Sequence, residues 1–282
     1  MEELHNLLQK IKNQSIFEEI PFSQEIFQRL KVGSVRQEES PLVVILCGPP
    51  GSGKSTIKNN LLREKGITHY IDIDPDTIRA ILTENGVNFI PGSEKIMGNI
   101  TNAFNERICR KAQEQGLNIV FDTTGQNYGA ISKLIESSYE INYKIIFSII
   151  WASLDSCIQR VKKRNDELER TRSSRIQLPE DIVRRIYDSF MKEKGTASLF
   201  LIYYPVNADE IIIYDNSAEP ILLYHKASDF IFSRNFSNFY NMQITANLQA
   251  ISLKSSGGKR KNTRKNKKSK KHKKTKRNQG QK

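Results

Sequence analysis

Pro41-Leu42-Val43-Val44-Ile45-Leu46-Cys47 runs without a break into Gly48-Pro49-Pro50-Gly51-Ser52-Gly53-Lys54-Ser55, and Thr56 to Arg63 continue with residues suited to a helix. The apolar run has the length and composition of a strand buried on both faces. The eight residues after it match G-x-x-x-x-G-K-[ST], a Walker A phosphate loop, in the strand–loop–helix setting that the motif requires. Glycines let backbone N–H groups curl around phosphate oxygens, and the helix N-terminus adds the positive end of its dipole. Lys54 is placed to reach the β- and γ-phosphates, and the Ser55 hydroxyl to hold Mg²⁺. Gly48, Pro49, Pro50, Gly51, Ser52, Gly53, Lys54, Ser55 and Thr56 are therefore read as the cradle of a nucleoside triphosphate, with ATP and Mg²⁺ as expected cofactors.

Working outward, residues 69–73 read as a second strand, with a helix from about Asp76 and a long one over 93–115. Asn118-Ile119-Val120-Phe121-Asp122 is a short apolar strand ending in an acid. Residues 143–151 form an Ile-rich strand, and Ser153-Leu154-Asp155 caps the helix after it. Residues 165–177 are polar and Arg-rich with no apolar period. Pro179 opens a helix to about Lys194, and 210–214 is a final buried strand. Alternating strands and helices predict an α/β fold, a parallel sheet with helices on both faces. Ligands of such sheets bind beyond the strand C-termini, where the phosphate loop, Asp74, Asp76 and Asp122 all fall. Upstream, Leu4, Leu7, Leu8 and Ile11 make one helical stripe. Ile20, Ile26, Phe27 and Leu30 suggest a second around Pro21, packed on the outside of the domain.

The formal charge of +13 is not spread evenly. Residues 254–282 hold 15 Lys or Arg and no Asp or Glu, so removing them leaves about −2 on residues 1–253. The chain thus divides into an N-terminal helical extension (1–40), an α/β domain (41–253) and a basic tail (254–282) whose composition predicts disorder. Cys47, Cys109 and Cys157 lie far apart, which argues against a disulfide framework and for a reducing compartment. No apolar stretch is long enough to span a bilayer, so the expectation is a soluble protein of the cytoplasm or nucleus.

The residues after the second strand separate the reaction classes. Ile71-Asp72-Ile73-Asp74-Pro75-Asp76-Thr77-Ile78-Arg79 places carboxylates where a strand ends and a helix begins. GTPase base-recognition signals of the N-K-x-D type are missing, and Thr123 follows Asp122 where an ATPase would carry an Asp-Glu pair. The pattern fits phosphoryl transfer to a small acceptor, with a carboxylate taking the hydroxyl proton. Arg160 and Arg164 share one helix face. With Arg170, Arg172 and Arg175 they supply guanidinium forks suited to the equatorial oxygens of a transferring phosphoryl group.

These residues resemble the P-loop kinases that include zeta toxins and polynucleotide 5′-kinases, over roughly Leu42 to Tyr224, which implies a three-layer P-loop NTPase fold. The zeta-toxin element I-D-x-D-T/E-[FI]-[KR] is met by Ile73-Asp74-Pro75-Asp76-Thr77-Ile78-Arg79. The resemblance implies Asp76 as the base on the acceptor hydroxyl, with Asp74 competing for that role, and Arg79 contacting the acceptor or its phosphates. Asp76 also falls where a helix N-cap would sit. Ile119-Val120-Phe121-Asp122-Thr123-Thr124-Gly125 matches the third-strand acid and turn, which assigns Asp122 to substrate or Mg²⁺. Zeta toxins usually have Glu at that acid and a basic residue where Gln126 stands. Both kinase families carry an arginine-bearing lid in this region. Arg164 and Arg175 are the lid arginines assigned to catalysis, and Asp215-Asn216 lie near the adenine by the same resemblance.

The leading expectation is therefore an ATP-dependent kinase of a small hydroxyl acceptor, with a UDP-sugar such as UDP-N-acetylglucosamine implied by the resemblance. A polynucleotide 5′-hydroxyl kinase is the alternative, favoured by the Asp-Thr turn and by Leu178-Pro179-Glu180-Asp181-Ile182-Val183 after the lid. A nucleotide-gated, non-catalytic module is a third. The lysine-rich tail suits weakly selective polyanion binding, a localisation signal or a solubilising role. A toxin function would add an antitoxin-like partner.

Overall fold

The computed structural model describes residues 1–225 apart from 89, 91, 127, 172–176, 192–207 and 219. The expected tail, Arg172 and Arg175 lie outside the described residues. Seven strands form one sheet: β1 (Lys31–Val32), β2 (Leu42–Cys47), β3 (Tyr70–Ile73), β4 (Ile119–Thr123), β5 (Lys144–Trp151), β6 (Glu210–Asp215) and β7 (Ile221–His225). Their order is β1-β3-β4-β2-β5-β6-β7. The five inner strands are parallel, whereas β1 on β3 and β7 on β6 run antiparallel. The strand read as final is thus followed by one more, and the parallel sheet carries an antiparallel strand at each edge.

Eight helices accompany it among the described residues: α1 (Glu2–Asn13), α2 (Ser23–Arg29), α3 (Lys54–Glu64), α4 (Pro75–Glu84), α5 (Glu94–Glu114), α6 (Tyr128–Glu140), α7 (Leu154–Arg170) and α8 (Glu180–Met191). Their connections place them on both faces of the sheet. On one, Ile57, Leu61 and Leu62 of α3 pack with Val44, Leu46, Tyr70, Val120 and Ile146. Side chains alternate along a strand, so Asp72 and Asp122, two residues beyond Tyr70 and Val120, also face α3. That alternation fixes the site described below. The central strands β2 and β5 are buried on both faces, as an inner parallel strand requires. No helix among the described residues is long and apolar enough to cross a membrane.

The N-terminal stripe behaves as read. Leu4, Leu7, Leu8 and Ile11 are buried, and α1 packs on α5. The closing carbonyls of α1 are capped from α5, where Arg107 donates from Nε to Ile11 (3.1 Å) and from Nη2 to Lys12 (2.7 Å). The N-terminal segment also enters the sheet through β1, and Asp72 N–H donates to the Leu30 carbonyl at 2.8 Å.

Two boundaries differ from the sequence reading. The helix after β3 starts at Pro75, and its N-cap is Asp74 rather than Asp76: Asp74 Oδ1 accepts from Asp76 N–H at 3.0 Å and Oδ2 from the Thr77 hydroxyl at 2.9 Å. Proline at the first helical position has no N–H to satisfy, so the cap belongs to the residue before it. In the stretch read as an aperiodic lid, α7 continues to Arg170. Its polar residues occupy a mostly solvent-facing helix whose buried stripe is only Cys157 and Val161.

Candidate active site

The phosphate loop leaves β2 at Cys47 and enters α3 at Lys54, and backbone bonds close it on itself and tie it to β4. Ser52 N–H donates to Pro49 O at 3.1 Å, and Gly48 N–H donates to Thr123 O of β4, also at 3.1 Å. Gly53 sits at φ 88°, in the left-handed region open to glycine, and a Cβ there would lie 1.9 Å from Asn216 Nδ2. Lys54 curls back over the loop. Its Nζ donates to the carbonyls of Gly48 (2.9 Å) and Pro49 (3.2 Å) and lies 3.7 Å from Asp122 Oδ1. Ser55 and Thr56, in the first turn of α3, are exposed.

Asp122 and the β3 carboxylates share one electrostatic neighbourhood. Burial pushes the Asp122 carboxyl above the ordinary carboxylate range, Lys54 and Lys58 pull it down, and Asp74 and Asp72 push it up again. Lys58, one turn beyond Lys54, donates to both Asp72 oxygens at 3.0 and 2.8 Å. Burial opposes the Lys58 charge, but Asp72 outweighs it and holds the amine above its ordinary value. The motifs do not single out this pair. Its signals in the sequence are the period-2 step from Tyr70 to Asp72 and the i,i+4 step from Lys54.

The acceptor-side candidates sit at the β3–α4 corner. Asp76 is exposed in the first turn of α4 and pairs with Arg79 Nη1 at 2.7 Å. Arg79 Nε is buried and has no hydrogen-bond partner. Asp74, half-buried, is occupied as the helix cap.

The lid arginines divide. Arg164 is exposed on α7, and Arg170 pairs with Glu167 of its own helix at 3.7 Å. Arg160 turns inward against the phosphate loop, donating from Nη1 to Gly51 O at 3.2 Å and from Nη2 to Ser217 O at 3.4 Å. Asn216, expected by resemblance near the adenine, donates from Nδ2 to Ser52 O at 2.7 Å. The sequence carries no local signal for this contact, because the partners lie 164 residues apart.

A glycine loop from a central parallel strand into a helix, with its lysine beside an acid on the neighbouring strand, defines a P-loop nucleotide-binding fold. The family model described as an AAA domain matches residues 43–192, more than half of the chain, and the chain belongs to that family. A search of curated protein sequences returned no relative. Among solved structures, the chain is similar to one from the PezAT chromosomal toxin–antitoxin system of Streptococcus pneumoniae. The TM-score is 0.56 at 13% identity, over 79% of this chain and 93% of that one. It is also similar to the AvrRxo1-ORF1:AvrRxo1-ORF2 complex solved with sulphate ions (TM-score 0.53, 14% identity, 86% of this chain and 71% of that one). The same complex solved with ATP gives the same values. At these identities the likeness is one of fold, and it agrees with the P-loop domain that the family match gives.

Proposed function

We propose that this chain is an ATP-dependent phosphotransferase that moves a γ-phosphoryl group to the hydroxyl of a small acceptor. The observation that carries the reading is convergence: the ends of three neighbouring parallel strands, β3, β4 and β2, bring Asp74 and Asp76, Asp122 and Lys54 to one rim of the sheet. The loop N–H groups and the helix N-terminus receive the phosphates, and Lys54 leaves its loop carbonyls for the β- and γ-phosphate oxygens. Asp76 takes the proton of the acceptor hydroxyl. The acceptor oxygen forms the new bond to γ-phosphorus, the bond from γ-phosphorus to its bridging oxygen breaks, and ADP leaves with the electron pair. Arg164, with Arg175 of the lid, meets the charge on the equatorial oxygens.

Ser55 and Asp122 would hold Mg²⁺. No group of three His, Cys, Asp or Glu suited to a metal occurs among the described residues. A hydroxyl and one carboxylate beside the phosphates suit an ion that is bound through one or two carboxylates plus substrate oxygens. Bound there, the ion supplies positive charge to the phosphate oxygens.

A UDP-sugar acceptor follows from the zeta-toxin resemblance, and an antitoxin-like protein partner from the toxin–antitoxin neighbour. The basic tail beyond the domain at 41–253 would add a tether for nucleic acid. The test is transfer of label from γ-labelled ATP by the full chain to UDP-sugars, nucleosides or 5′-hydroxyl oligonucleotides, with Lys54→Ala and Asp76→Asn as controls. Label on a UDP-sugar, lost in both variants, is the expected result. Label on oligonucleotide ends would replace the acceptor with a polynucleotide, and ATP binding without any transfer would sink the kinase reading for this panel.

A further inference from the structure

We infer that Asn216 and Arg160 set the nucleotide affinity of the phosphate loop by holding it from behind, as positioning residues rather than contacts to the base or to the reacting phosphoryl group. The loop gives two carbonyls to side chains from distant elements. Ser52 O accepts from Asn216 Nδ2 at 2.7 Å, and Gly51 O from Arg160 Nη1 at 3.2 Å, with Ser52 O 3.5 Å from the same nitrogen. In a trans peptide, C=O and N–H point in opposite directions. Pinning Ser52 O onto Asn216 therefore turns the Gly53 N–H away from Asn216, toward the open side of the loop. The same contact explains Gly53: a Cβ there would strike Asn216 Nδ2 at 1.9 Å.

The brace is itself braced. Asn216 is 5% exposed, and its own N–H donates to Trp151 O at 2.8 Å, extending the β5–β6 pairing. Ser217 donates to Asp215 Oδ1 from both N–H (2.9 Å) and Oγ (2.7 Å). Its hydroxyl accepts from Ser153 N–H at 2.9 Å, and its carbonyl from Ser156 Oγ at 2.8 Å. That carbonyl also takes the second nitrogen of Arg160. The end of β6, the start of α7 and the back of the phosphate loop thus form one hydrogen-bonded unit. Buried donors in such a unit are costly to remove, because each leaves a partner without a bond. A carboxylate at 216 would instead set an anion against the Ser52 carbonyl.

The inference needs only the nucleotide-binding part of the proposed function, so it is tested by binding and without an acceptor. The full chain and its Asn216→Asp, Asn216→Ala and Arg160→Gln variants are titrated with a fluorescent ATP analogue and with inorganic tripolyphosphate, and the ligand-free thermal midpoint of each is recorded. Asn216→Asp is expected to weaken both ligands by about 10-fold or more, and the other two variants by about 3- to 10-fold, with midpoints lowered by about 10 °C at most, so that each variant stays folded at the titration temperature. Unchanged affinity in Asn216→Asp overturns the inference. So does a loss confined to the ATP analogue, which would make Asn216 a base contact, and so does a loss that disappears when affinity is measured well below each variant's midpoint. Should Asn216→Asp not fold, Asn216→Ala and Arg160→Gln decide by the same criteria. A wild-type chain that binds neither ligand removes the nucleotide reading as well, whereas binding that is indifferent to these variants removes this inference alone.

Discussion

The two halves of the candidate site are held in different ways. The phosphate loop is fixed by side chains from β6 and α7, far away in sequence, and by a backbone bond to β4. The β3–α4 corner is held by its neighbours: Asp74 accepts from Asp76 N–H and the Thr77 hydroxyl, and Asp76 pairs with Arg79 one turn on. A tertiary clamp keeps a shape that is ready before the ligand arrives, whereas i,i+3 contacts at half-exposed positions are worth little and exchange easily. The difference would suit the proposed phosphotransferase, whose donor is constant and whose acceptor must be admitted, oriented and released.

Substitutions can break that comparison. The largest effect is expected from Lys54→Ala, with transfer falling on the order of 10³-fold, because the cation proposed to meet the transferring charge is lost. Single-turnover kinetics with saturating ATP would measure it. Asp76→Asn should lower kcat roughly 10²-fold, near the low end for loss of a general base, and leave nucleotide affinity unchanged. A matching rise in the ATP dissociation constant would show that the two halves are not separable. Lys58→Met should destabilise the fold by about 2 kcal/mol in urea unfolding, less than for a fully buried pair because both side chains partly reach solvent. Lys58→Met combined with Asp72→Leu should recover most of that loss, and failure to recover would mean that the pair does more than neutralise Asp72.

Asp122→Asn should cost activity yet stabilise the ligand-free protein at neutral pH. A carboxyl whose pKa is raised in the folded state favours the fold while protonated and loses that contribution as pH rises through the raised value. The variant's advantage in thermal midpoint should therefore vanish on acidification toward about pH 4 and grow above it. The smallest effect belongs to Arg79→Ala, about 0.3 kcal/mol for a half-exposed i,i+3 pair. A loss above about 1 kcal/mol would contradict the purely local character assigned to the acceptor corner.

The legible parts of the molecule are those whose reasons are local. The phosphate loop is a contiguous chemical pattern, and β2, β4 and β5 are apolar runs that only a buried strand would need. The start of α4 is easily misplaced by two residues because Asp74 and Asp76 both look like caps. Pro75 between them settles the matter, since proline belongs at the first helical position. The helix α6 escapes the sequence reading although Ile131, Leu134, Ile135 and Ser138 carry its buried stripe. Glycines at 125 and 129 mask the period at its start. Arg160 can be placed on the same helix face as Arg164, but not that one faces the loop and the other solvent. That depends on how α7 packs against the phosphate loop, which Arg160 touches. The Asn216 contact depends on the order of strands, which a linear reading leaves open.

The two-residue strand β1 has a consequence for how the protein behaves in company. An inner-type strand such as β3, Tyr70-Ile71-Asp72-Ile73, would offer a row of free amides and carbonyls if it ended the sheet. Such an edge invites pairing with another chain. Lys31 and Val32 occupy that row. What they offer outward in turn is too short to template a neighbour and carries a lysine. The N-terminal segment thus acts as a hem on the sheet, and trimming it away would be expected to turn a closed edge into a sticky one.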